Sequence, residues 1–556
     1  MKSDIEIAQQ ADIRPITEIA SRIGIPADAL ELYGKYKAKL PLSLIDEQKV
    51  SQGNLILVTA VSPTPAGEGK TTVSIGLSDG LNRLGRRSIV ALREPSLGPV
   101  FGLKGGAAGG GHSQVLPMED INLHFTGDFA AVEKSNNLLS ALVDNNMQVK
   151  VDNLGIDPRT VAFKRVADMN DRALRHIITG LGGTGNGIPR EEGFNITPAS
   201  EVMAILCLCG GINDLKCRLG NILVGFRYTG EPVYARDLGA VGAMAILLKD
   251  AVKPNLVQTT GGNAAIIHGG PFANIAQGTN SILATKMALS MADYAVTEAG
   301  FGSDMGAEKF MDIKCRVGGL CPRAWVIVAT VRALKYHGGV AVPDLKKPDT
   351  GAVERGFVNL SRHLDNAANF GVPSIVAINC FEADTEEETQ VIERLCAARG
   401  IKAVRTHAWA EGGKGCEDLA REVAAVASAS KAVLRPLYDL DMPIEEKILT
   451  VARRVYGARS VEYTYQAHKQ LELISKLGLS SLAVCIAKTQ KSFTDNEKAI
   501  GAPTGFEIKI RDIEIASGAG FVVPIAGDIM RMPGLPSTPA AVNMDIDEDG
   551  TVSGLS

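Results

Sequence analysis

The sequence predicts an α/β protein built on a parallel sheet that carries helices on both faces. Apolar runs of strand length recur along the chain, at 54–61, 88–92, 292–298, 325–330, 374–380 and 403–407. Helical patterns at 354–370 and 386–399 separate the last three runs, and this alternation is typical of parallel sheets. The 59 glycines, set against 5% aromatic residues, suit the tight turns that such a fold needs.

Charge and composition exclude several classes of function. The 58 basic and 62 acidic side chains give a net charge of −4, so there is no electrostatic case for nucleic acid or an anionic membrane. No apolar run approaches the roughly 18 residues of a membrane span, and the N-terminus has no apolar signal core. The nine cysteines show no disulfide spacing. We therefore expect a cytoplasmic protein with reduced thiols.

A glycine-rich turn joins the run 54–61 to a helical pattern at 72–84. Strand, Gly-rich turn, Gly-Lys-Thr and helix is the context of a phosphate-binding P-loop, whose backbone N–H groups bind phosphate oxygens. Lys70 would place a charge at the β- and γ-phosphates, and the Thr71 hydroxyl would bind Mg²⁺. The predicted nucleotide-binding residues are Thr64, Pro65, Ala66, Gly67, Glu68, Gly69, Lys70 and Thr71. Thr64 stands where the usual pattern has glycine, so a turn without nucleotide is the alternative.

Two regions are expected along the chain. Residues 1–430 form the nucleotide-binding and catalytic region, and residues 431–556 form a C-terminal α+β domain, because the strand–helix alternation ends near 430. The first region includes peripheral helices over about 1–50 and an insertion over about 160–250. Its later sheet strands lie over about 323–430.

Seven segments together resemble the formate–tetrahydrofolate ligase family, also called formyltetrahydrofolate synthetase. Three of them read Pro-Thr-Pro-Ala-Gly-Glu-Gly-Lys-Thr-Thr at 63–72, Arg-Glu-Pro-Ser-Leu-Gly-Pro at 93–99 and His-Gly-Gly-Pro-Phe-Ala-Asn-Ile-Ala at 268–276. The others lie at 104–111, 117–128, 296–302 and 532–536. In this order the segments are highly specific, and they span nearly the whole chain. Thr64 in place of the first P-loop glycine matches the family's own variant.

The resemblance implies a P-loop NTPase-like sheet and an ATP-dependent ligation in one-carbon metabolism. Formate is phosphorylated to formyl phosphate, and N10 of tetrahydrofolate then attacks it to give 10-formyltetrahydrofolate, ADP and phosphate. The resemblance also implies Mg²⁺, a monovalent cation (K⁺ or NH₄⁺) and a homotetramer.

Catalysis of the first step requires positioning and charge neutralisation, because the formate carboxylate needs no deprotonation at pH 7. Lys70 and Arg93 are therefore the predicted catalytic residues. Lys70 would neutralise the transferring phosphoryl group, and Arg93 would clamp formate and then formyl phosphate through its two-pronged guanidinium. For Arg93 the alternative is a structural ion pair, for instance with Glu94. Thr71 and Glu298 are the predicted metal residues.

Flat apolar surfaces are needed for the rings of folate. The resemblance places Phe381 and Trp409 around these rings, and each follows a predicted strand in the region of the later strands. Phe301 is a third candidate. Asp128 would bond a pterin edge or orient N10, and a loop-capping role is its alternative. The glycine-rich segment 105–111 is expected to approach the site closely and exclude water.

Two other functions fit the loop. One is a P-loop ligase that activates a different carboxylate, and the other is a nucleotide-switched ATPase that binds a partner protein. A switch should hydrolyse ATP without formate, whereas the ligase should release phosphate only with formate and tetrahydrofolate. Arg93, Phe381 and Trp409 favour the ligase, because a switch has no need for them.

Overall fold

The long central sheet is the main feature of a computed structural model that describes residues 2–65, 67–102 and 108–555. Eight of its strands are β1 Asn54–Ala60, β2 Ser88–Leu92, β3 Asn255–Thr259, β4 Ala264–Ile267, β5 Tyr294–Glu298, β6 Ala324–Ala329, β7 Ser374–Asn379 and β8 Lys402–Thr406. Their spatial order is β3-β4-β2-β5-β1-β6-β7-β8. All neighbours from β4 to β8 are parallel, which confirms the predicted α/β class with a parallel-rich sheet.

Helices cover both faces of this sheet. The ones used below are α1 Asp4–Gln10, α2 Lys70–Arg83, α3 Asp128–Gln148, α4 Ile282–Met291, α5 Val331–His337, α6 Thr350–Asn369, α7 Glu386–Ala398, α8 Ala408–Glu411 and α9 Glu417–Ala429. Alternate residues of β1 enter two separate cores. Leu55 and Leu57 pack with α4, α5 and α6, while Ile56 and Val58 pack with α2 and α9. Strands buried on both faces explain the continuous apolar runs in the sequence.

Shorter elements complete the region before residue 430. Further helices lie at Ile16–Arg22, Glu47–Gln52, Leu97–Phe101, Met118–Asn122, Glu201–Leu208, Ile212–Gly220, Val241–Leu247 and Arg316–Gly318. Further strands lie at Glu31–Leu32, Ala38–Lys39, Gly109–Gly110, Ser113–Leu116, Arg165–Ala167, Ile177–Thr179, Arg190–Glu192, Phe194–Ile196, Leu223–Phe226 and Pro232–Tyr234. The first two of these strands extend the central sheet beyond β3.

A second sheet lies in the C-terminal part of the chain. Its strands are β9 Ser460–Tyr463, β10 Ala483–Val484, β11 Glu507–Ala516 and β12 Phe521–Ala526, in the order β9-β11-β12-β10. Helices α10 Ile444–Val451 and α11 Tyr465–Lys476 lie before and between them, and a short strand pair, Asp545–Ile546 and Val552–Ser553, follows. Ile508, Ile510 and Val522 of this sheet share a core with β1 and α6, so the second sheet packs directly on helices of the first.

The hairpin β3–β4 is a feature that the strand–helix pattern does not predict. Its strands pair antiparallel, and β4 then lies parallel to β2. A signal is present in the sequence, since two short apolar stretches flank the turn residues Thr260, Gly261, Gly262 and Asn263. Both strands are short and are not separated by a helix, so the sequence signal for the hairpin is weak.

The nine cysteines are all free, which agrees with the lack of a disulfide pattern in the sequence. Within the described residues, no helix combines the length and the apolar character needed to cross a bilayer.

Candidate functional site

The candidate site lies at the carboxyl edge of the parallel strands, where ligands of open α/β sheets bind. After β1 the described residues 61–65 and 67–69 belong to the glycine-rich loop, and α2 begins at Lys70. Gly69 precedes the helix in a left-handed conformation, with φ 72°, and a Cβ there would lie 2.4 Å from Asn379 Nδ2. The left-handed conformation therefore favours glycine at this position, and a larger residue would also have to displace the Asn379 side chain. The first N–H groups of α2 have no acceptors within the helix, and such groups are the donors of an anion site.

The side chain of Glu68 stabilises the loop by hydrogen bonds to another residue of the loop and to the start of α5. Its Oε1 atom accepts hydrogen bonds from the backbone N–H of Thr64, at 3.0 Å, and from the Thr64 hydroxyl, at 2.8 Å. Its Oε2 atom accepts one from the Thr330 hydroxyl at 2.7 Å. This gives a physical reason for Thr64 in place of the usual glycine, because its side chain closes the loop onto Glu68. The motif identifies Glu68 only as part of the loop and does not reveal this role.

Lys70, Thr71 and Glu298 form a compact charged group beside the loop. Glu298 ends β5, the strand next to β1. Its Oε2 atom lies 3.2 Å from Lys70 Nζ and accepts a hydrogen bond from the Thr71 hydroxyl at 2.8 Å. Burial favours a higher pKa for Glu298, but the positive charges of Lys70 and Arg93 outweigh it and hold the pKa below its usual range. Glu298 therefore stays ionised.

The same group suits Mg²⁺. The Thr71 hydroxyl and the Glu298 carboxylate bring oxygen donors together, and Mg²⁺ usually takes one or two protein oxygens with phosphates and water as its other ligands. Among the described residues, no group of three or more His, Cys, Asp or Glu side chains could hold a metal. Thr71 and Glu298 could therefore hold a magnesium ion whose other ligands are phosphate and water oxygens.

Arg93 follows β2 and is partly buried. Its Nη1 atom donates to the Pro271 carbonyl at 3.1 Å, while its buried Nε atom has no hydrogen-bond partner among the described residues. Burial lowers the pKa of Arg93, against the opposing effect of the Glu298 carboxylate. Burial and the charge of Asp128 raise the pKa of Glu94 well above its usual range, against the opposing charge of Lys39, which favours the neutral form of Glu94. Arg93 therefore keeps donors for an anionic ligand.

Asp128 is held by structural partners. It is the first residue of α3 and is buried. Its Oδ1 atom accepts from Lys39 Nζ at 2.5 Å, and its Oδ2 atom accepts from Asn255 Nδ2 at 2.8 Å. Both carboxylate oxygens are engaged by residues of neighbouring strands, which is a structural role but not the loop cap that was the alternative to a folate contact.

The aromatic candidates lie at different parts of the edge. Phe381 follows β7, and the guanidinium of Arg332 stands 3.9 Å from the centroid of its ring. Trp409 lies in α8, after β8, and its Nε1 atom donates to Asp4 Oδ1 at 3.2 Å. A surface cavity of about 560 Å³ opens beside Trp409. Phe301 follows β5 with φ 62°, a left-handed conformation that is costly for a bulky residue and often marks a functional site.

The structure thus gathers most of the predicted residues at one edge. Arg93 is close enough to influence the pKa of Glu298, and Phe381 reaches the loop through Arg332. Pro65 also lies in the loop, and its predicted contact with nucleotide stays a prediction. Ala66 and residues 103–107, which include the first three residues of the glycine-rich segment 105–111, are outside the described residues. The residues that lie together at the loop are Thr64, Gly67, Glu68, Gly69, Lys70, Thr71 and Glu298.

The parallel-rich sheet with a charged, glycine-rich edge places the chain among α/β proteins, whose ligands commonly bind beyond the carboxyl ends of the strands. A family model described as formate–tetrahydrofolate ligase matches residues 2–556, essentially the whole chain. The chain belongs to this family, and the family's enzyme is an ATP-dependent ligase that acts on formate and tetrahydrofolate.

Proposed function

We propose that the protein transfers the γ-phosphoryl group of ATP to formate and then passes the formyl group to tetrahydrofolate. The observation that carries this proposal is the position of Arg93, with unused donors, beside the Lys70–Glu298 pair. A phosphoryl acceptor with a carboxylate would bind there next to the glycine-rich loop, which is called the phosphate loop from here on. In this proposal the sheet is a P-loop NTPase-like sheet, and residues 64–71 bind the nucleotide phosphates.

In the first step, a formate oxygen forms a bond to the γ-phosphorus, and the bond between that phosphorus and the bridging oxygen breaks to release ADP. Lys70 neutralises charge on the transferring group, and Arg93 orients the carboxylate. Bound Mg²⁺ would supply further charge neutralisation, with Thr71 and Glu298 as its protein contacts. No general base is needed because formate is already ionised.

In the second step, N10 of tetrahydrofolate attacks the formyl carbon and the carbon–oxygen bond to phosphate breaks. The N10 proton ends on the departing phosphate, so 10-formyltetrahydrofolate and hydrogen phosphate are the products. Arg93 stabilises the departing phosphate, since its guanidinium matches a phosphate as well as a carboxylate. Phe381, Trp409 and Phe301 provide ring surfaces for folate.

An omission assay tests this function. Formate, ATP and tetrahydrofolate are left out one at a time, and 10-formyltetrahydrofolate and ADP are measured by chromatography. We expect product only with all three. ATP hydrolysis that continues without formate and tetrahydrofolate would instead support the nucleotide switch, and product from another carboxylate would support the other ligase.

An isotope experiment tests the intermediate. Formate labelled with ¹⁸O in both oxygens should transfer one labelled oxygen to the released phosphate, because that oxygen stays on phosphorus when the carbon–oxygen bond breaks. Unlabelled phosphate would contradict formyl phosphate. The homotetramer, the K⁺ or NH₄⁺ requirement, the cytoplasmic location and the division at residue 430 stay predictions.

A further inference from the structure

Arg332 lies between two parts of the candidate site that the proposed function uses separately. It is in the first turn of α5, just beyond β6. Its Nη2 atom donates to the Gly67 carbonyl at 2.7 Å, and its guanidinium stands 3.9 Å from the centroid of the Phe381 ring. One planar cation therefore contacts both the phosphate loop and the aromatic ring.

The start of α5 holds the loop at a second point. Thr330 caps the helix by accepting from Ala333 N at 3.0 Å, and it donates to Glu68 Oε2 at 2.7 Å. Glu68 is buried. Because the cap and Arg332 contact neighbouring loop residues, the position of α5 relative to the loop is fixed.

The backbone around Phe381 is fixed as well. Its N–H donates to Asp384 Oδ2 at 2.8 Å, and Asn379 Nδ2 at the end of β7 donates to the Glu68 carbonyl at 3.1 Å. Phe381 itself is only partly buried. Arg332 attracts the ring face electrostatically and thereby restricts its orientation.

We propose that Arg332 is a positioning residue that holds the Phe381 ring against the phosphate loop and so sets the surface on which folate rests. This inference depends on the proposed function, because it takes Phe381 as a folate contact. Arg332 acts on folate through the ring and on the nucleotide through Gly67. Its two effects are therefore separable by removing the ring.

A double-mutant cycle tests the proposal, with Arg332→Met and Phe381→Leu made singly and together. We expect Arg332→Met to raise the KM for tetrahydrofolate about 3- to 10-fold, the range of a partly desolvated cation–π contact. In the Phe381→Leu background, Arg332→Met should add less than about 2-fold to this KM. The loss of the Gly67 contact should raise the KM for ATP similarly in both backgrounds.

Several outcomes overturn the inference. It fails if Arg332→Met leaves the folate KM unchanged, or if its effect is the same with and without the Phe381 ring. If Phe381→Leu alone leaves the folate KM unchanged, the folate placement in the proposed function is what fails. Arg332→Lys keeps the charge but not the planar group, so it should give an intermediate KM for tetrahydrofolate. If the methionine variant does not fold, the lysine variant takes its place in the double-mutant cycle. Arg355→Met, at a largely exposed arginine on α6, is the matched control and should change neither KM.

Discussion

At the scale of single residues, Arg93 combines a partly buried position with donors that the described residues do not use. We expect Arg93→Ala to lower kcat/KM for formate about 100- to 1000-fold, the effect of losing a charge-assisted contact to the developing charge. ATP affinity, measured by calorimetry, should change little because the phosphate loop is intact. Arg87→Ala, at an exposed arginine paired with Asp293, is the control. If Arg93→Ala leaves the formate kinetics unchanged, Arg93 does not bind formate as proposed.

Trp409 is the second residue whose role is open to a direct test. Trp409→Ala should raise the KM for tetrahydrofolate about 10-fold, because a stacking surface for the rings is lost. Trp409→Phe keeps a ring but loses the hydrogen bond to Asp4, so it separates stacking from the contact with α1. If Trp409→Ala weakens only ATP binding, the folate placement is wrong.

How far the site can be predicted depends on the kind of interaction. The grouping of Lys70, Thr71 and Glu298 is predictable, because it follows from a local motif and from strand ends that meet at one edge. The role of Glu68 is not, because its partner Thr330 lies 262 residues away in the sequence. The contact between Arg332 and Phe381 likewise joins two different strand–helix units.

At the scale of elements, the contact between α5 and α6 depends on one glycine. A Cβ at Gly356 of α6 would lie 1.8 Å from the Leu334 carbonyl of α5, so the two backbones would have to separate. We expect Gly356→Ala to lower the free energy of unfolding by about 2–4 kcal/mol. Gly356→Ala should also shift the position of Arg332, because Arg332 lies on α5.

Gly351 in the same helix provides the matched control. The nearest atom to a Cβ there is the flexible Arg355 Nη1, at 3.3 Å. Gly351→Ala should therefore be neutral or stabilise by up to about 1 kcal/mol, since alanine favours the helix. Urea unfolding followed by fluorescence measures both variants, and equal effects would contradict the role of close packing.

Element prediction succeeds where a strand is long and buried on both sides. The strands β1, β6 and β7 have continuous apolar runs, so the pattern alone identifies them. The hairpin β3–β4 is not predicted in this way, because it is defined by the pairing of its strands with other strands and not by a local pattern of apolar residues. Its second strand joins the parallel sheet only through β2, which lies far earlier in the chain.

At the scale of the whole molecule, buried neutral histidines link stability to pH. His363 of α6 lies between Ser62 and Ser303, to which its ring nitrogens are hydrogen-bonded. Burial lowers the pKa of His363 to about 4, although the negative charge of Asp304 opposes this effect. The unfolded chain therefore binds a proton at this residue between about pH 6.5 and 4 that the folded protein does not.

We expect this group to reduce stability as pH falls from about 6.5 towards 4, by up to about 3 kcal/mol. His363→Gln removes the titration, so its destabilising effect should be smaller at pH 5 than at pH 7.5. Urea midpoints at the two pH values measure this. An effect of His363→Gln that does not change with pH would contradict the linkage.

The order of the strands also sets the distances between the parts of the candidate site along the edge of the sheet. Neighbouring strands are about 4.8 Å apart, so β2 and β7 each stand about 10 Å from β1, on opposite sides. The strand that leads into the loop, β1, therefore lies midway between the strands that precede Arg93 and Phe381. In the proposed reaction, a folate whose pterin rests on Phe381 would extend along the edge towards the loop, where N10 would meet the formyl group. We expect ligand length along this edge, measured with folates truncated or extended between the ring and N10, to set the rate of formyl transfer.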